Sequence, residues 1–83
     1  MIEVNQMIEA IESTLQGAEV RVMNPRKDGL HFDAIVISPL FRGKSLMKQH
    51  QMVLSPLKGL FDSKLHALSL KTYTPEEWNE GKR

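Results

Sequence analysis

The sequence has no cysteine among its 83 residues. Without thiols the chain can form no disulfide, no Cys-based zinc site and no iron–sulfur cluster held by its own cysteines. It also has no run of the roughly 18–20 apolar residues that a membrane span requires. Its first residues are acidic and periodic, unlike a signal or transit peptide. These absences predict a cytoplasmic protein without a membrane-embedded segment.

The length and composition are those of one small globular domain. A second domain is not expected in 83 residues, because domains usually have about 100–150 residues and rarely fewer than about 50. The 41% hydrophobic and 25% charged residues fit a folded chain rather than a disordered tail. We therefore expect a single domain over residues 1–83.

Hydrophobic periodicity predicts the first three elements of this domain. Apolar residues at helical spacing predict a helix over residues 3–16, which ends before Gly17. Residues 19–23 alternate between apolar and polar positions and are β-branched, as strands are, and residues 31–37 are predicted as a second strand. The turn-forming residues 24–29 lie between them. An antiparallel hairpin with a long loop is therefore expected.

The second half of the chain predicts helices, a third strand and a short last helix. Ser45 is a suitable N-cap for a helix, and the Ser-Pro pair at 55–56 predicts that a second, short helix restarts there. Residues 65–71 alternate again, as a strand does. The Thr-Pro-Glu-Glu motif at 74–77 is a capping box that begins a last helical turn or two.

This order predicts an α+β fold in two layers. A connection that holds two helices is long enough for the third strand to run parallel to the second, with a right-handed crossover. The result is a three-stranded mixed sheet with helices on one face.

The net charge of +1 conceals an uneven distribution. Residues 1–20 contain four glutamates and no basic residue, whereas residues 42–73 have a net charge of +5. The positive segment could attract a polyanion or an acidic protein, although a solvated pair of helices has the same pattern. It has few aromatic residues for base stacking. The sequence Phe-Arg-Gly-Lys at 41–44 also has only one glycine, unlike the Gly-x-x-Gly clamp of an RNA-binding KH domain.

The residues do not predict an enzyme. The serines have no base and orienting acid placed with them, and no glycine-rich phosphate loop is present. The three histidines form no local metal-binding pair, and isolated histidines are most often structural. His66 differs because it shares the parity of the core-facing Leu68 and Leu70 in the predicted third strand. At the rim of the core it could bind a metal offered from outside.

Several motifs in the same order resemble the BolA family, over about residues 4 to 79. The motifs are Asp28-Gly29-Leu30-His31-Phe32, Phe41-Arg42-Gly43-Lys44-Ser45, Lys48-Gln49-His50-Gln51-Met52-Val53, His66-Ala67-Leu68-Ser69-Leu70 and Thr74-Pro75-Glu76-Glu77-Trp78. The resemblance implies a class II KH-like fold with the order α-β-β-α-α-β, which agrees with the order read from the residues.

The resemblance also implies an adaptor in iron–sulfur cluster handling. BolA-like proteins pair with monothiol glutaredoxins and share a [2Fe-2S] cluster, for which the glutaredoxin supplies its cysteine and bound glutathione. The isolated chain would bind no cluster. His66 matches the family's C-terminal ligand histidine. The family's second ligand, in the loop between the first two strands, has no counterpart in residues 24–29, which contain neither His nor Cys. Either His31 substitutes, or the second ligand is supplied differently, or cluster sharing is weak.

The alternative that the resemblance implies is transcriptional regulation. In that case the segment 42–64 would contact DNA in the manner of a helix-turn-helix. The residues expected to face DNA are Arg42, Lys44, Lys48, His50 and Lys58. A third hypothesis is a stress-related interaction module without a cluster. A homodimer of the apo form is also left open by the residues.

Overall fold

The computed structural model describes residues 4–24, 31–61 and 68–81, without the side chains of 59–61. Its elements, in chain order, are α1 (Val4–Thr14), β1 (Glu19–Met23), β2 (Phe32–Ile37), a 3-10 helix (Pro39–Phe41), α2 (Leu46–Phe61), β3 (Leu68–Tyr73) and α3 (Pro75–Glu80). Most of the predicted turn 24–29 and the first residues of the predicted third strand lie outside the described residues.

The three strands form one mixed sheet in the order β1-β2-β3. β1 pairs antiparallel with β2, and Val20 lies opposite Val36. β2 pairs parallel with β3, and Ala34 lies opposite Leu70. A parallel pair needs a long crossover, and α2 lies within that connection. The predicted fold class is therefore confirmed, including the direction of the third strand.

The hydrophobic core lies between one face of the sheet and the two long helices. Met7 and Ile11 of α1, and Val53 and Leu57 of α2, are fully buried at i, i+4 spacing. Such spacing aligns apolar side chains along one face of each helix. Phe41 is also fully buried and anchors the 3-10 helix to the same core.

α2 is one continuous helix of 16 residues, with Pro56 inside it. The predicted restart at the Ser-Pro pair is therefore wrong. An interior proline lacks an N–H donor and costs a helix about 3 kcal/mol. Here the buried residues Val53 and Leu57 flank Pro56. Their shared packing against the core favours an uninterrupted helix over two separate ones.

The short helix α3 contacts the opposite face of the sheet. Its predicted capping box is present, since Thr74 Oγ1 accepts from the Glu77 amide at 3.2 Å and Glu77 Oε1 accepts from the Thr74 amide at 2.8 Å. The Trp78 ring lies 5.2 Å from the Tyr73 ring in an edge-on arrangement. Its centroid also lies 5.2 Å from Cζ of Arg21. The two long helices lie on one face of the sheet, and α3 covers part of the other face.

One buried amide connects α2, β3 and the turn between the 3-10 helix and α2. Gln49 is 5% exposed. Its Oε1 accepts a hydrogen bond of 2.6 Å from the Thr72 hydroxyl, and its Nε2 donates to the Lys44 carbonyl at 3.0 Å. A buried polar side chain stabilises a fold only when its partners are present. Gln49 therefore fixes the turn against the sheet.

We expect Gln49→Ala to lower the free energy of unfolding by about 2–4 kcal/mol, because it creates a cavity and leaves the buried Thr72 hydroxyl without an acceptor. Gln51→Ala is the matched control, since Gln51 is exposed on the same helix and should cost less than about 0.5 kcal/mol. Urea unfolding followed by circular dichroism measures both. Equal losses would contradict the assigned role of Gln49.

Candidate functional site

An open groove with a volume of about 1080 Å³ lies beside α2 on its basic side. Four of its lining residues are cationic, and no Asp or Glu is among those that line it within the described part of the chain. The cationic residues are Arg42, Lys44, Lys48 and Lys58. We call this surface the basic groove. It brings together four of the five residues that the sequence predicted to contact nucleic acid.

Local structure places these cations along the same groove. Gly43 has a positive φ of 75°, which lets the chain turn between the 3-10 helix and α2. Ser45 Oγ accepts a hydrogen bond of 3.1 Å from the Lys48 amide, as the predicted N-cap should. Lys48 and Lys58 then lie on the same side of α2, since ten residues of helix return to within about 80° of the starting direction.

Arg42 is the one cation of the basic groove that forms an ion pair among the described residues. Its Nε donates to Glu76 Oε1 at 3.0 Å, and its terminal nitrogen donates to Glu76 Oε2. The hydrogen bond from Arg42 is the main reason why the pKa of the Glu76 carboxyl is lowered to about 2. The same bond raises the pKa of Arg42. Glu76 stays ionised above about pH 2 and offsets the charge of Arg42.

His50 lies away from the basic groove, although the sequence placed it with the lysines. It is half-buried and lines a smaller cavity of about 350 Å³ between α2 and β3. Positions 48 and 50 of a helix differ in direction by about 200°. The basic groove and this cavity therefore lie on different sides of α2.

Of the two histidines predicted as metal ligands, the structure describes His31. His31 is half-buried and immediately precedes β2. His66 lies outside the described residues and is two positions before Leu68 in the chain. Phe32 and Leu68, the first residues of β2 and β3, are paired. Within the described part of the chain, no group of three or more His, Cys, Asp or Glu could hold a metal ion.

Two features of these surfaces were absent from the sequence-based prediction. Gln49 lies four residues before Val53 and eight before Leu57, so its helical spacing with two apolar residues was a signal of burial. The pair of Arg42 with Glu76 spans 34 positions, and no local pattern reveals such a contact.

Among the described helices, none is long and apolar enough to cross a membrane.

Comparison with known proteins identifies the family. The family model described as "BolA-like protein" matches residues 5–77. The acid stress protein IbaG of Escherichia coli is 38% identical over 78 residues, which is 93% of this chain and 89% of that protein. The DNA-binding transcriptional regulator BolA of E. coli is 38% identical over 48 residues, or 58% of this chain and 46% of that one.

The fold gives the same result. The structure of a BolA homologue from Coxiella burnetii aligns with a TM-score of 0.77 and 36% identity, and the alignment covers 95% of this chain and 99% of that one. The family model, the relatives and the shared fold agree in one conclusion: the chain belongs to the BolA family.

Proposed function

We propose that this BolA-family protein is a non-enzymatic adaptor in iron–sulfur cluster trafficking or iron regulation. In this proposal it partners a monothiol glutaredoxin and contributes a histidine to a [2Fe-2S] cluster held between the two proteins. The supporting observation is the pairing of Phe32 with Leu68 at the start of two parallel strands. In the sequence, His31 immediately precedes Phe32 and His66 is two positions before Leu68.

The donor set fits a shared cluster rather than a cluster held by this chain alone. A [2Fe-2S] cluster takes four ligands, which are usually thiolates, and this chain has no cysteine. The thiolates must then come from the glutaredoxin and its glutathione, and this chain would supply imidazole. When bound, a cluster with histidine in place of thiolate is less negative and has a higher reduction potential.

In this proposal the chain's own contribution is to hold His31 beside an anchored strand. Phe32 is 2% exposed and belongs to the hydrophobic core, so the start of β2 is anchored next to His31. A ligand attached to a rigid sheet end loses little conformational entropy when it binds.

When the protein is mixed with a monothiol glutaredoxin, glutathione, iron and sulfide, we expect His66→Ala to abolish the visible spectrum that is specific to the heterodimer. His50→Ala is the matched control and should keep the spectrum of the heterodimer, because His50 lies between α2 and β3 rather than at the start of the strands. His31→Ala tests the second ligand and should shift the spectrum if His31 coordinates.

The outcome that contradicts the proposal is a heterodimer spectrum unchanged by His66→Ala. In that case His66 is not a ligand. Circular dichroism of each variant shows whether a lost spectrum comes from unfolding rather than from a lost ligand.

The alternative function is DNA binding through the basic groove. The observation that favours it is the convergence of Lys44, Lys48 and Lys58 on one groove that lacks lining carboxylates in the described part of the chain. One relative is named a DNA-binding transcriptional regulator. Because Glu76 offsets the charge of Arg42, the three lysines would make most of the contacts with phosphates.

If DNA binds there, the logarithm of the affinity should fall linearly with the logarithm of the salt concentration. Lys44→Ala or Lys48→Ala should each reduce that slope by about one unit, since each lysine contacts about one phosphate. Lys71→Ala is the control, because Lys71 is exposed on β3 and does not line the groove. Fluorescence anisotropy with labelled duplex DNA measures the slopes, and a flat salt response would exclude this function.

A further inference from the structure

We propose that the outer edge of β3 and the cavity beside it form a docking site for an extended acidic segment of another protein. The cavity has a volume of about 350 Å³ and lies between α2 and β3. Its lining residues are Leu46, His50, Leu70, Lys71, Thr72 and Tyr73. We call it the edge pocket. The proposal does not depend on the cluster or on DNA binding.

β3 is an edge strand, and its free side carries backbone hydrogen-bonding groups. Within the described part of the chain, β2 is the one strand that pairs with β3. The Ser38 amide donates to the Tyr73 carbonyl at 3.0 Å, so Tyr73 directs its backbone groups toward β2. Because residues of a parallel ladder alternate in direction, Leu70 directs its N–H and C=O outward. Such an edge is a template for strand addition.

Burial limits the accessible part of this edge. Thr72 also directs its backbone outward by the same alternation, but it is 1% exposed and forms the floor of the edge pocket. Leu70 is half-buried, and Lys71 is exposed. An added segment therefore pairs with Leu70 and directs its next side chain into the pocket.

The walls of the edge pocket favour an apolar side chain. Leu46, which lines it from α2, is 51% exposed. Leu70 forms the facing apolar wall. An inserted aliphatic side chain would remove both from water, and the hydrophobic effect favours that burial.

The charges around the edge pocket favour acidic residues next to that side chain. Lys71 is the cationic residue of its lining, and no described Asp or Glu lines it. Single-stranded nucleic acid has the right charge but needs exposed rings for stacking. Tyr73, the aromatic residue of the lining, is only 6% exposed. An acidic peptide therefore fits better.

A fluorescein-labelled octapeptide of alternating glutamate and valine tests the site by fluorescence anisotropy. We expect saturable binding, which Leu46→Asp weakens by about tenfold or more, because it places a carboxylate in the apolar wall beside an acidic ligand. Met47→Asp is the matched control, since Met47 is the next residue, is 73% exposed and does not line the pocket. Its effect should stay within about twofold. An acidic residue in the first turn of a helix is favourable, so both variants should fold.

Amide hydrogen exchange distinguishes strand addition from adsorption at the surface. The peptide should slow exchange of the Leu70 amide by about tenfold or more. The amides of Ser69 and Lys71, which already face β2, should change little. Three results would overturn the proposal: no saturation up to about 1 mM peptide, equal losses in Leu46→Asp and Met47→Asp, or a Leu70 amide that the peptide leaves unchanged.

Two further controls address the other occupants. Oligothymidylate that binds with the same dependence on Leu46, in place of the peptide, would assign the edge to nucleic acid. Sedimentation of the free protein as a dimer that Leu46→Asp dissociates would assign it to a second copy of the chain. Either result overturns the choice of an acidic peptide.

Discussion

The parallel pairing of β2 with β3 is the constraint on which the other features depend. Parallel neighbours need a long crossover, and α2 lies in that connection and packs Val53 and Leu57 into the core. The same pairing sets Phe32 beside Leu68 at one end of the sheet. It also makes β3 an edge strand, because β1 already occupies the other side of β2.

α2 separates two surfaces of different character. Its basic side contributes Lys48 and Lys58 to a wide groove suited to a polyanion. On another side it contributes Leu46 and His50 to a small, mostly apolar pocket at the sheet edge. Gln49 stands between them and bonds to both the Lys44 carbonyl and Thr72. The turn at one surface and the strand at the other are therefore joined through one buried amide.

The sequence predicted the fold class and direction of the third strand, because these follow from periodicity and the length of a connection. It predicted the capping box at Thr74 because that signal is local. It failed at Pro56, where burial of the flanking residues outweighs the propensity of proline to break a helix. It also did not predict the Arg42–Glu76 pair, which only the folded chain brings together. Four of the five residues predicted to contact nucleic acid line one groove. His50 does not, because it follows Lys48 by two positions in α2 and therefore faces another side of the helix.

The most direct test of the central claim is a measurement of nitrogen coupling in the cluster. The protein is labelled with ¹⁵N-histidine, combined with an unlabelled monothiol glutaredoxin, glutathione, iron and sulfide, reduced, and studied by pulsed electron paramagnetic resonance. The account predicts a strong hyperfine coupling to a ¹⁵N nucleus of this chain that disappears when His66 is replaced by alanine. A reduced heterodimer cluster with no ¹⁵N coupling would show that the chain supplies no imidazole to the iron and would contradict the account.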